Sequence, residues 1–409
     1  MLDWLSRFNI CCFLDNHLYN LPGHSQECLA AAGSISCTHN RYDYLRNAGE
    51  FINLQNDWIF GHLGYDLKNE TEDLFSAHPD HMGFPDAFFF VPEYVLMLNG
   101  SSISIGSLRD DHESVYKAIL GYVRIPAKTN SFTIRQRVGR EEYISTINKL
   151  KEHILRGDCY EINFCQEYYA EDAQIDPVAT FRNLSGISPN PFSAFYQLGE
   201  KYVLCASPER YLKKTGQQIL SQPIKGTAPR DIINESHDKL LKEQLYTSAK
   251  DRSENVMVVD LVRNDLSKVC TEGSVKVDEL FGIYAFPQVH QMISTISGTL
   301  RNGVGFEEII RASFPMGSMT GAPKKKVMEL IEHYEKSRRG IFSGAIGYIS
   351  PEKDFDFNVV IRSILYNALD RYLSFQAGSG ITFYSDPEQE YGECQWKASA
   401  IKKVLGAEP

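Results

Sequence analysis

The sequence predicts an α+β protein built mainly on antiparallel sheet. Strand-like runs follow one another as hairpins and meanders, and the helical periodicities are inserted between them as separate blocks. Apolar residues make up 43% and charged ones 23%, with 22 Tyr and 23 Phe in 409 residues, the balance of a chain that buries a core. That length allows two or three ordinary domains or one large interwoven unit.

Charge and cysteine usage exclude several classes. The 52 acidic and 42 basic residues leave a net charge of -10 with no basic run, which argues against nucleic acid as a partner. The nine cysteines are odd in number, scattered and free of any CxxC pair, so zinc and dithiol redox chemistry are not expected and a cytoplasmic location is. No basic start leads into a long apolar stretch, and no apolar run reaches the length of a membrane span, so neither secretion nor a membrane is expected.

Residues 1–126 carry short apolar strings at 10–14, 58–61 and 88–92 among Gly- and Pro-containing connections, and read as strands and loops. Alternation over 94–105 predicts a hairpin turning at Asn99-Gly100. Residues 127–135 look like a connector, leaving 136–409 as a second region. There Tyr143, Ile147, Leu150, Ile154 and Leu155 recur at helical spacing, up to a stop at Arg156-Gly157-Asp158. A strand is expected at 160–168, then antiparallel strands at 203–207, 210–214 and 217–222. One long helix should carry Leu240, Leu241, Leu245, Val256, Val259 and Val262 and end near Asp265. A second should start around Pro323, where proline suits the first turn, and stop near Gly340. Strands at 341–350, 356–366 and 372–377 and a last helix over 387–405 complete the chain.

Within this frame one lysine is unusually placed. Lys225 stands between Pro223, which fixes its own φ, and Gly226, which permits φ > 0 or a close approach of backbone to ligand. Its direction is therefore constrained. Glu209, after Ser207-Pro208, is a candidate acid nearby. Asp251 with Glu254, and Glu390 with Glu393, are three apart on two helices, so each pair shares a face. Either pair alone is what a solvated face carries. Converging, they offer the oxygen ligands that Mg²⁺ takes. Gly378-Ser379-Gly380 reads as a glycine-rich turn with free N–H groups for a carboxylate, or as a plain strand-to-helix turn. Ser318, ahead of the Pro323 helix, is an anion-binding hydroxyl or an N-cap. Arg362, central in an apolar strand pattern, needs a partner, for which a bidentate carboxylate is the natural choice.

These residues resemble the chorismate-utilising enzymes, a family that includes anthranilate, isochorismate, salicylate and aminodeoxychorismate synthases. The likeness rests on Ser207-Pro208-Glu209-Arg210-Tyr211, Pro223-Ile224-Lys225-Gly226-Thr227, the run from Glu254 to Asp265, the run from Gly317 to Lys324, and Gly378-Ser379-Gly380 through Glu393. It covers the chain from about Tyr143 onward. The resemblance implies a large α/β sandwich of the anthranilate synthase component I type, two extended antiparallel sheets with helices outside, into which both regions fold together. In this family lysine at the position of Lys225 marks the aminodeoxychorismate branch, and Glu161 stands where other branches place a water-activating lysine.

The implied chemistry is attack of Lys225 on C2 of chorismate while Glu209 protonates the departing C4 hydroxyl, followed by attack of ammonia at C4. Mg²⁺ would be held by Glu254 and Glu393, with Asp251 and Glu390 reaching it through water. Arg362, Thr227, Ser318, Phe342 and the backbone of Gly378, Ser379 and Gly380 would hold the substrate. A separate glutamine amidotransferase is implied as the source of ammonia, since neither Cys159 nor Cys165 has a glutaminase context. Two positions depart from the pattern. Gln291 stands where the family often has histidine, with His290 one residue early, and the stretch Glu27-Cys28-Leu29-Ala30-Ala31-Ala32-Gly33 replaces a tryptophan-binding motif. Tryptophan feedback through that motif is therefore not expected. Anthranilate synthesis, or a silent subunit that only activates an amidotransferase, are the alternatives.

Overall fold

The computed structural model describes residues 1–19, 27–39, 42–287 and 289–406. Its frame is two antiparallel sheets of eleven and ten strands. The larger sheet runs from Gly321–Ala322 through Glu161–Ala170, Tyr372–Ile381, Ser363–Asn367, Lys201–Ser207 and Phe192–Leu198 to Ile10–Asp15, Cys28–Ala32, Tyr94–Asn99 and Ser102–Ser107. The smaller runs from Ile224–Pro229 through Val289–Thr299, Gln218–Gln222, Arg210–Thr215, Phe355–Asn358 and Ala345–Ile349 to Ile59–Leu63, Ala87–Val91 and Ser36–Cys37. Each sheet thus joins a block of N-terminal strands, at one end, to strands from later in the chain. Asn99 and Ser102 close the expected hairpin, and Cys28–Ala32 lies wholly buried between its two neighbours.

Period-2 side-chain alternation divides the apolar residues between two cores. Val203 and Cys205 face the core between the sheets, whereas Leu204 and Ala206 face the one under the outer helices. The helix Arg140–Leu155 seals that second core because Tyr143, Ile147 and Leu150 fall on one stripe and are fully buried. Burial contributes about 1.5–3 kcal/mol for each such aliphatic side chain. Gly157, at φ +82°, ends the helix, as its position in the sequence requires. Among the described residues no helix is long and apolar enough to cross a membrane.

Two elements differ from the sequence reading. The single long helix is two, Glu235–Thr247 and Ala249–Ser267, because Ser248 turns extended and its hydroxyl caps the second by accepting from the Asp251 N–H. The strand expected over 356–366 is also two. Phe355–Asn358 belongs to the smaller sheet and Ser363–Asn367 to the larger, and the apolar residues between them cross from one layer to the other.

Candidate active site

Lys225 reaches a cavity through a fault in the sheet. Ile224 pairs with Ile293 and Thr227 with Gln291, so three steps on one strand oppose two on the other, the count of a β-bulge. Gly226 supplies the positive φ of +98° that this bulge needs, and a Cβ there would press on Asp251 at 3.0 Å. Asn255, fully buried, donates to the Lys225 carbonyl at 3.4 Å while accepting from the Ser294 hydroxyl at 2.5 Å. The bulge is pinned from the helix Ala249–Ser267, and the ammonium is turned inward.

The cavity is about 400 Å³ and is lined by strands of both sheets, among them those carrying Asn163, Gly378, Lys225 and Gln291. Lys225 Nζ donates to Glu161 Oε1 at 2.5 Å, with both side chains almost fully buried. Burial pulls the lysine's pKa down, but the charges of Glu161, Glu254 and Glu209 outweigh it, so the net displacement is upward. Gly380 lies beside the pair, and a Cβ there would come within 2.7 Å of Glu161 Oε1 and 2.8 Å of Lys225 Nζ. Across the cavity Glu209 is buried and accepts from the Ser318 hydroxyl at 2.6 Å. Burial lifts its pKa to about 7, against the pull of Ser318 and Lys225. Glu209 is thus poised as an acid near neutrality.

The Ser318 turn is set by its neighbours. Asn163 Nδ2 donates to the Ser318 carbonyl at 2.8 Å, and the buried Arg339 donates to the carbonyls of Met319 and Asn163 while paired with Glu335. Ser318 is not an N-cap. It sits in the short 3₁₀ turn Gly317–Met319, and Pro323 takes the cap position of Lys324–Tyr334, which ends before Gly340.

Arg362 is likewise not in a strand interior. It adopts a left-handed φ of +51° in the link between sheets, which aims its half-buried guanidinium into the cavity. Burial lowers its pKa to about 10, with Glu209 opposing. Among the described residues its side chain has no ion pair, so the cavity holds a cation available to an anionic ligand.

Gly378, Ser379 and Gly380 do not form a turn. They continue the strand Tyr372–Ile381, paired with Glu161–Ala170. Gly378 and Gly380 line the cavity, but Ser379 shares the face of Phe375, Ala377 and Ile381 and points away from it under the helices. Its hydroxyl is buried there beside Tyr143. Thr227 and Phe342 are where the sequence placed them, in the cavity wall.

Asp251, Glu254 and Glu393 line the same cavity from two helices, with Glu390 buried behind. Burial raises the Glu254 pKa to about 7, partly offset by Lys225. Glu393 is displaced downward, since its pairing with Lys397 outweighs its burial. Lys250 pairs with Glu390 at 3.1 Å and lies 3.9 Å from Glu254. Glu254 Oε1 and Glu390 Oε2 are buried without a hydrogen-bond partner, and such hard oxygens suit Mg²⁺. As the side chains stand, no group of three or more acidic, His or Cys residues among those described converges closely enough to hold an ion. The donors fit the metal in kind, and lysines balance their charge. The sequence reading missed Lys250, Asn255 and the carboxylate pairing of Glu161. The available signal for Glu161, which is fully buried, was a glutamate opening a strand whose next residues, Ile162 and Phe164, are apolar on the other face.

The chain belongs to the chorismate binding enzyme family, whose model matches residues 22–403. It is 34% identical over 349 residues to aminodeoxychorismate synthase component 1 of Escherichia coli (strain K12), covering 84% of this chain and 76% of that protein. Anthranilate synthase component 1 of Cereibacter sphaeroides is 31% identical over 368 residues, covering 85% and 73%. The crystal structure of anthranilate synthase component I from Streptococcus pneumoniae TIGR4 superposes with a TM-score of 0.73 at 26% identity, over 85% of this chain and 80% of that one. The expected sandwich of two antiparallel sheets is therefore the fold of this protein.

Proposed function

We propose that this chain is an aminodeoxychorismate synthase component 1, converting chorismate and ammonia to 4-amino-4-deoxychorismate in the folate branch. The observation that carries the reading is a buried lysine facing a cavity that also holds an acid near pKa 7 and an arginine with no ion pair among the described residues. Arg362 binds a substrate carboxylate, which orients the ring toward Lys225. The Lys225 ammonium gives its proton to Glu161, its partner at 2.5 Å, and the amine attacks C2. Glu209, protonated, gives its proton to the leaving C4 hydroxyl, which departs as water. Ammonia then attacks C4, the lysine amine leaves from C2 and recovers its proton from Glu161, and the new ammonium returns a proton to Glu209. Both carboxyl groups end as they began.

Glu254 and Glu393, with Asp251 and Glu390 through water, would hold Mg²⁺, which when bound neutralises a second carboxylate and draws charge from the ring. A glutamine amidotransferase would supply the ammonia, and nine free thiols fit a reducing cytoplasm.

The test is mass spectrometry of the protein mixed with chorismate and Mg²⁺ without ammonia. A dehydrated-chorismate increment is expected on the peptide carrying Lys225 and is absent in Lys225→Ala, which loses activity on the order of 10³-fold or more. Glu209→Gln lowers turnover by roughly 10²–10⁴-fold. Appearance of fluorescent anthranilate would overturn the assignment in favour of the ortho-aminating reaction.

A further inference from the structure

Gln291 is a side chain of the site whose own hydrogen bonds are unmet. It lies in the strand Val289–Thr299, flanked by Thr227 on one side and Tyr284 on the other. It is 0% exposed and lines the cavity with Lys225, Gly226 and Thr227. Neither its Oε1 nor its Nε2 has a hydrogen-bond partner among the described residues. The adjacent His290 points to the other face, where its Nε2 lies 2.9 Å from Asp238 Oδ1 while its Nδ1 has no partner among the described residues. Alternation along the strand thus sends His290 to a carboxylate and Gln291 to the cavity, where neither end of its amide meets a protein group among those described.

A buried amide that faces a cavity and bonds to no protein group at either end is left to whatever fills that cavity, which points to a partner brought by the ligand. The chemistry of that partner follows from the amide. A carboxylate would satisfy Nε2 but face the Oε1 lone pairs, and an ammonium would do the reverse. Only a group that donates and accepts at once, an uncharged hydroxyl or amine, answers both. The anionic parts of a ligand have Arg362 to pair with instead.

We infer that Gln291 is a substrate-binding residue that donates to and accepts from an uncharged hydroxyl of the bound ligand, the ring hydroxyl when that ligand is chorismate. The inference rests on the proposed function for the identity of the ligand. A specific consequence is that the site discriminates against analogues lacking the hydroxyl, because they would leave the amide unpaired.

The experiment uses Gln291→Met, which keeps the length of the side chain without its amide. Its binding of chorismate and of 3-(1-carboxyvinyloxy)benzoate, which has no ring hydroxyl, is compared with wild type by calorimetry, alongside thermal unfolding without ligand. Chorismate affinity should fall about 10–100-fold, binding of the analogue should stay within about twofold, and the melting temperature should hold or rise. Equal losses for both ligands, unchanged chorismate binding, or a lowered melting temperature would overturn the inference, as would failure of both this variant and Gln291→Leu to fold. Wild-type binding of chorismate is the control. Its absence sinks the proposed function and this inference with it, whereas equal binding by variant and wild type sinks the inference alone.

Discussion

Burial loosens the hold of Lys225 on its proton, yet the charges of Glu161 and Glu254 outweigh it. A lysine nucleophile in this setting needs a base in contact, and Glu161 is that contact. Glu209 presents the mirrored case, a carboxyl kept protonated by its surroundings. Since the acid form is required, kcat/KM should fall as pH rises through about 7. The Ser318 hydroxyl bonds to Glu209 and favours its charged form, so Ser318→Ala should move that limb to higher pH. A pH–rate profile of the variant that shifted downward, or not at all, would show that the limb belongs to another group. At this scale the sequence identified Lys225, Glu209 and the acidic pairs from residue type and flanking geometry. It could not identify the role of Gln291 or the Lys225–Glu161 pair, because unmet and met hydrogen bonds look alike until the neighbours are known.

Among the elements, the strand Tyr372–Ile381 shows how function is written into backbone spacing. Its apolar alternation stops at Ala377, so the sequence reads a turn, but glycine continues the strand where a side chain has no room. A Cβ at Gly378 would fall 2.0 Å from the Phe164 carbonyl, on rigid backbone, whereas one at Gly380 would meet only the ends of two side chains. Gly378→Ala should therefore destabilise the fold by about 1–3 kcal/mol or more, seen as a lowered melting temperature. Gly380→Ala should melt within a few degrees of wild type yet lose activity by about 10²-fold, since a displacement near 1 Å at the reacting group has that effect. Reversal of the two phenotypes would mean that the Lys225–Glu161 pair is not set by this strand. Arg362 was misread for a related reason. The apolar run around it is continuous in sequence because both cores demand apolar residues, and only the sheet order shows the chain changing layers there.

The whole molecule is held by pairings distant in sequence. Ile10–Asp15 pairs with Phe192–Leu198, and Ile59–Leu63 with Ala345–Ile349, so strands from residues 1–126 form one end of each sheet. Expressed alone, residues 136–409 would expose those edges and the apolar faces beneath. They should show no cooperative thermal transition by circular dichroism, and a sharp transition with retained chorismate binding would refute this.

The amino-acid sequence alone determined the composition of the core, most helices, the hairpin turns, the family and the residues able to do chemistry. The family rests on the likeness of its ordered motifs to those of known enzymes, and the rest follow from local periodicity, turn preferences and residue type, each of which acts over a few neighbours. Tertiary structure alone decided which carboxylate meets Lys225, which face Ser379 takes, where Arg362 crosses between layers and that Gln291 is left unpaired. Those depend on strand register and on burial, which arise only when segments hundreds of residues apart are packed against each other.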